Sequence, residues 1–121
     1  MTITIPGEPR TKKNSMRVVI NGGRPVLLPS KAFMSYQAKA GWYLSGKGDK
    51  IDYPINLKCE YYMSAKRKVD LANLIGATCD ILVHYGVIAD DNIRIVASHD
   101  GSRVMLDKKN PRVVITIERV K

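Results

Sequence analysis

The sequence predicts an α+β domain with a mixed or antiparallel sheet and two main helices. Three observations lead there. "INLKCEYYM", Ile55 to Met63, alternates strictly and puts Ile55, Leu57, Cys59, Tyr61 and Met63 on one face of a strand. Two longer segments, one in each half of the chain, carry helical periodicity with recognisable ends. Strands and helices interleave without the regular βαβ alternation of a parallel sheet. The chain has 121 residues, 45% of them hydrophobic, which suits one ordinary domain with a modest core. Residues 1–121 are read as a single domain.

Each element has a local reason. "TITI" near the start alternates as a short strand. "GEPRTKKNS" is a basic loop. "MRVVI", "NGG" and "RPVLL" predict a hairpin, because Asn-Gly tolerates the positive φ angles of a tight turn. Ser30 after Pro29 is placed to cap a helix through "KAFMSYQAKAGWYL", which stops at Ser45-Gly46. "GKGDK" and "SAKRK" read as loops. A second helix is expected from Leu71 to Tyr85, ended by Gly86. "NIRIVAS" then predicts a strand, "HDGSR" a turn and "RVVITIERV" a closing strand.

Composition narrows the function. The formal charge is +9, from 20 Lys and Arg against 11 Asp and Glu, which points to a polyanionic partner, nucleic acid first. No apolar run approaches the roughly 18 residues that span a bilayer, and "MTITIPGEPRTKK" lacks a signal-peptide layout, so no membrane role and a cytoplasmic location are expected. Cys59 and Cys79 form no Cys-x-x-Cys and read as buried thiols. His84 and His99 are too scattered for a zinc site.

The acids cluster within this basic chain. On a wheel at about 100° per residue, Leu71, Leu74, Ile75, Thr78 and Leu82 form the core stripe of the second helix, while Asp70, Asn73, Ala77 and Asp80 fall on roughly the opposite side. Asp90 and Asp91 follow shortly after, and Lys66, Arg67 and Lys68 run straight into Asp70. Singly, Asp70 suits an N-cap, Asp80 an exposed helical acid and Asp90-Asp91 a solvated turn. Together they suit a metal-dependent nuclease. A few carboxylate oxygens hold a hard cation such as Mg²⁺, and flanking cations offset their repulsion of phosphate. A binding protein without chemistry has no reason to set acids beside its basic loop.

At these residues the chain resembles the RusA family of Holliday junction resolvases. The likeness lies in "IPGEPRTKKNS", "VDLANLIGATCDIL" and "GVIADDNIRIV", in that order and spacing. The second piece is similar to the family's Asp-x-Asp-Asn helix start with a further acid along the helix, and the third to its Asp-Asp pair. The resemblance implies catalytic roles for Asp70, Asp80, Asp90 and Asp91, with Asp70, Asp91 and Asp80 as metal ligands. It implies phosphate contacts from Lys12, Lys13, Lys66, Arg67 and Lys68. Further implications are Mg²⁺, with Mn²⁺ as a substitute, a homodimer, and symmetric cutting of four-way or other branched DNA in recombination and repair, in a phage or prophage setting. Two positions depart from the pattern: Ala72 replaces the family's second Asp, and Gly76 a Lys that many members carry. The alternative reading is a catalytically weak or inactive module that binds branched nucleic acid.

Overall fold

The computed structural model describes residues 1–12, 16–46 and 48–120. Lys13, one of the expected phosphate contacts, lies outside the described residues. The elements run β1 (Thr2–Pro6), β2 (Met16–Asn21), β3 (Arg24–Pro29), α1 (Lys31–Leu44), β4 (Ile55–Met63), α2 (Leu71–His84), β5 (Val96–Ser98), β6 (Arg103–Leu106) and β7 (Arg112–Arg119). The class is α+β with a mixed sheet and two helices, as the sequence predicts.

The main sheet is ordered β1-β7-β4-β5, with β6 also paired to β4. β7 lies antiparallel between β1 and β4, whereas β5 and β6 run parallel to β4 along its other edge. Strict alternation decides which face is buried. Leu57, Cys59 and Tyr61 of β4 stand opposite Ile117, Ile115 and Val113 of β7, and Ile3 and Ile5 of β1 continue the row. All are buried, and Phe33, Ala40 and Leu44 of α1 and Leu74, Ile81 and Leu82 of α2 join them in one core. Each Val, Leu, Ile or Phe among them contributes about 1.5–3 kcal/mol on burial.

Along its outer edge β4 changes partner midway. β5 pairs with Ile55 and Asn56, and β6 with Glu60 to Met63. Between them, side chains of the connecting loop take over the backbone groups of β4. The Cys59 N–H donates to Ser102 Oγ at 3.0 Å, and the Leu57 carbonyl lies 3.0 Å from His99 Nδ1. Asn56 Oδ1 accepts from the Asp100 N–H at 2.8 Å. Sequence periodicity misses β6, because "RVML" has no alternation and the strand is mostly exposed, held by pairing along the edge of β4.

Helix ends follow local chemistry. Ser30 Oγ accepts from the Phe33 N–H at 3.1 Å, as an N-cap should. Gly86, at φ +71°, ends α2 just past Tyr85. The β2–β3 turn uses two consecutive positive φ angles, but Gly22 and Gly23 supply them and Asn21 remains in the strand. Where the helices meet, Gly41 has no room for a side chain. A Cβ there would sit 2.8 Å from the Tyr85 ring, whose hydroxyl donates to the Gln37 carbonyl at 2.7 Å.

Two expectations need correcting. Ala77 is buried, together with Cys79 and Ile81, so the core stripe of α2 is wider than the wheel suggests, while Leu71 and Ile75 are only half-buried. The strand expected over "NIRIVAS" is confined to Val96–Ser98. Asn92 prevents an earlier start: its Oδ1 accepts from the Arg94 N–H at 2.9 Å, and its carbonyl accepts from the N–H groups of Ile95 and Val96. Such local bonding by Asn competes with a strand ladder.

A polar pair lies within the core. Thr78 Oγ1 donates to the Leu74 carbonyl at 3.0 Å, so the Tyr61 hydroxyl, 2.6 Å away, donates to Thr78. Both thiols are buried, as expected. Burial raises Cys59 to about 11. It raises Cys79 to about 12, helped by the neighbouring Cys59 and then by the charges of Asp91 and Asp80. Unfolded thiols ionise near 8.5, so below that pH the thiols have no effect on pH dependence. Above it the unfolded chain sheds protons that the folded chain keeps, and stability falls progressively up to the folded values. Denaturant titrations at a series of alkaline pH values should show this decline, and between about pH 8.5 and 10, below the range where the buried Tyr36 and Tyr61 add the same effect, it should shrink when both cysteines are changed to Ala.

Candidate active site

The site is built on the exposed side of α2. A cavity of about 360 Å³ is lined by Lys12, Ala72, Asn73, Gly76, Ala77, Asp80 and Asp91. The helical repeat brings Ala72, Gly76 and Asp80 into register one turn apart. The small residues leave the floor low, and Asp80 rises at its end. No atom lies within 4 Å of where a Gly76 Cβ would project. Glycine is therefore not required there by packing, and Gly76→Ala should stabilise the fold by about 0.8–1.0 kcal/mol, read from the midpoint of chemical denaturation.

Asp80 and Asp91 reach this cavity from different elements. Asp91 sits in the turn before β5, not in the strand itself, and that turn is fixed by its neighbours. Asp90 Oδ1 accepts from the Asp91 N–H at 2.7 Å, and Asp90 Oδ2 from Asn92 Nδ2 at 3.0 Å. Both Asp90 oxygens are thus engaged in shaping the loop. The Asp91 carboxylate makes no hydrogen bond among the described residues and is left to face the cavity.

Asp70 occupies the N-cap position of α2 by backbone, its carbonyl accepting from the N–H groups of Asn73 and Leu74. Its carboxylate makes no cap hydrogen bond. Asn73 Nδ2 donates to it at 3.5 Å, which links it to a residue that lines the cavity, but Asp70 itself is not in the lining. The structure therefore gathers Asp80 and Asp91, where the sequence emphasised Asp70 and Asp91.

The cations divide in the same way. Lys12 Nζ lies 3.7 Å from Asp80 Oδ2 and 5.7 Å from the Phe33 ring centre, a bridge between the two helices. Both partners of the ion pair are about half exposed, so its own contribution is small. Arg67 is engaged elsewhere: its Nε donates to Glu8 Oε1 at 3.1 Å, and the Ser64 N–H donates to the other oxygen of Glu8. This role of Glu8, tying the basic loop to the segment after β1, has no signature in the sequence. Lys66 and Lys68 are exposed and form no ion pair among the described residues.

Hard oxygen donors from Asp80, Asp91 and Asn73 fit a magnesium ion that keeps several waters, since Mg²⁺ is commonly held by one or two carboxylates plus substrate phosphate. Among the described residues no group of three or more His, Cys, Asp or Glu side chains is assembled, so the set does not fit a cation that demands a full protein cage.

The family model described as Endodeoxyribonuclease RusA matches residues 6–118. The chain belongs to the RusA family. Over 81 residues it is also 32% identical to the Crossover junction endodeoxyribonuclease RusA of Aquifex aeolicus (strain VF5), an alignment covering 65% of this chain and 64% of that relative. This chain thus spans just under two thirds of the length of the curated relative it matches. Within the RusA pattern, the two departures seen in the sequence share one place: Ala72 and Gly76 both line the carboxylate cavity.

Proposed function

We propose that this RusA-family chain is a structure-selective endodeoxyribonuclease that resolves four-way DNA junctions by Mg²⁺-dependent hydrolysis of symmetric phosphodiesters, in recombination and repair. The observation that carries the proposal is the pairing of Asp80 and Asp91 across one open cavity beside Lys12, in a chain of charge +9. When bound, Mg²⁺ or its substitute Mn²⁺ supplies an activated water and a counter-charge for the phosphate under attack. Asp80 and Asp91 hold the ion, and Asp70, through Asn73, adds negative charge at the rim. Asp90 fixes the turn that aims Asp91. Lys12 offsets the Asp80 charge, Lys13, Lys66 and Lys68 hold phosphates, and Arg67, whose Nε is bound to Glu8, offers phosphate only its remaining guanidinium donors.

Paired nicks in opposing strands need two sites related by a two-fold axis, so the working unit is a homodimer of charge about +18, twice that of the chain. Selectivity then follows branch shape more than base edges. No helix among the described residues is long and apolar enough to cross a membrane. We place the protein in the cytoplasm, with its DNA.

Incubation of labelled four-way junctions with and without Mg²⁺ or Mn²⁺, beside a binding measurement, tests the reading. Metal-dependent paired incision supports it. Tight binding without incision would instead favour a catalytically weak binding module, the reading that Ala72 in the cavity floor keeps open. Junction affinity should also fall steeply with salt, log K dropping by about 0.9 per log unit of salt for each phosphate neutralised on a duplex arm. A salt-insensitive affinity in a filter-binding titration would remove phosphate contacts from the account.

A further inference from the structure

The β2–β3 ribbon stands apart from the rest of the fold. Its strands pair only with each other, as a separate two-stranded sheet. Val18 is directly opposite Leu27, and Ile20 opposite Pro25, so these four share one face of the ribbon. None is charged, and Val18, Ile20 and Leu27 are 66%, 71% and 59% exposed. A lone two-stranded ribbon is marginal in water, and an aliphatic face of this kind marks a contact surface.

Charge identifies the occupant. From Pro9 to Gly48 the chain carries eight Lys and Arg and no Asp or Glu. The remaining residues hold twelve cations against eleven acids, so nearly all of the net charge belongs to the stretch that contains the ribbon. Such a region repels a second copy of itself and attracts a polyanion. Arg24 and Pro25 follow directly on the Gly22-Gly23 turn, at the tip of the ribbon.

We propose that the β2–β3 ribbon is a nucleic-acid-binding arm whose aliphatic face packs against unstacked bases at a DNA branch point, while Arg24 and neighbouring cations hold the flanking phosphates. The proposal rests on the junction-nuclease reading above and supplies its means of recognising shape. Six-residue strands extend about 20 Å at about 3.3 Å per residue, and a two-stranded ribbon fits a major groove about 12 Å wide. Aliphatic and proline side chains act as wedges between base steps. In continuous duplex those steps must first be unstacked, whereas a branch point offers bases whose stacking is already interrupted. The arm therefore favours branches. With no hydrogen-bonding group on its aliphatic face, it reads no sequence.

The test uses the full chain in EDTA, so that nothing is cut. The probes are a four-way junction with 2-aminopurine at the crossover and a duplex of equal length. Wild type should prefer the junction and change the 2-aminopurine signal. Ile20→Ala with Leu27→Ala should lose about tenfold or more in junction affinity, the scale expected when several methylenes lose an apolar contact, with duplex affinity and salt slope unchanged and the fluorescence change abolished. Arg24→Gln should instead lower the salt slope by about one on both probes. If the double variant keeps the junction preference and the fluorescence change, the arm is refuted while the nuclease reading stands. If wild type binds no branched DNA, that reading falls and the arm with it. If sedimentation shows a wild-type dimer that the double variant converts to monomer, the ribbon is a self-association face and the proposal is overturned.

Discussion

If the chain cuts junctions as proposed, Asp91→Asn should lower metal-dependent cleavage at least about a hundredfold while junction binding stays equal or tightens. The substitution keeps shape and removes one negative charge. The fold should barely register it, because the Asp91 carboxylate makes no hydrogen bond among the described residues and the turn is held instead by the Asp91 N–H on Asp90 Oδ1. The cavity loses one of its two carboxylates, and with it a hard donor for the cation. Binding moves the other way, since a group that repels phosphate has gone. Single-turnover cleavage of a labelled junction in saturating Mg²⁺, with affinity measured in EDTA, separates the two effects. Undiminished cleavage would mean that the metal lies elsewhere.

Ala72→Asp works in the opposite sense. Position 72 is exposed on the cavity floor, two turns before Asp80. A carboxylate there adds a third acidic side chain to the lining. Cleavage at limiting Mg²⁺ should rise about tenfold, equivalent to about 1.4 kcal/mol of added metal affinity. At saturating Mg²⁺ the gain should shrink, and in EDTA junction binding should weaken because the new charge faces phosphate. Helix stability should not suffer, since an acid in the first turn complements the helix dipole. A Mg²⁺ titration of cleavage by both proteins decides the matter: superimposable curves would show that residue 72 does not reach the ion.

How far the sequence announces this arrangement depends on the range of the forces involved. β4 was legible because its alternation records a buried face on every second residue. The Ser30 cap and the Gly86 stop were legible because each is local chemistry within one helical turn. β6 was not, because its existence depends on the edge of β4 that β5 leaves free, and four residues without alternation carry no trace of that. The turn over Asn92 displaces an expected strand because its side-chain oxygen captures one backbone N–H and its carbonyl two more. In the site, the helical wheel placed Asn73 and Asp80 on the exposed side, and the sequence also singled out Asp91 and Lys12. A wheel counts angle but not depth, so it could not tell that Asp80 lines the cavity with Asp91 while Asp70 stands outside the lining, joined to it through Asn73. Ala77 shows the same limit: a methyl group is as easily buried as exposed, and only the neighbouring helix and sheet decide.

The place of β7 between β1 and β4 bears on how the protein comes into being at the ribosome. The strand formed from residues 112–119 is the central seam of the sheet, pairing one of the earliest segments of the chain with its middle. Until it emerges, β1 has no partner in the main sheet and the buried face of β4 lacks its neighbouring row. The nascent chain can form its helices and the β2–β3 hairpin early, since their contacts are local, but the sheet must wait for loop closures spanning most of the chain. A release assay on stalled chains should therefore find protease resistance arriving abruptly once residue 119 has cleared the exit tunnel, and chains stopped before residue 112 should depend on chaperones to stay soluble.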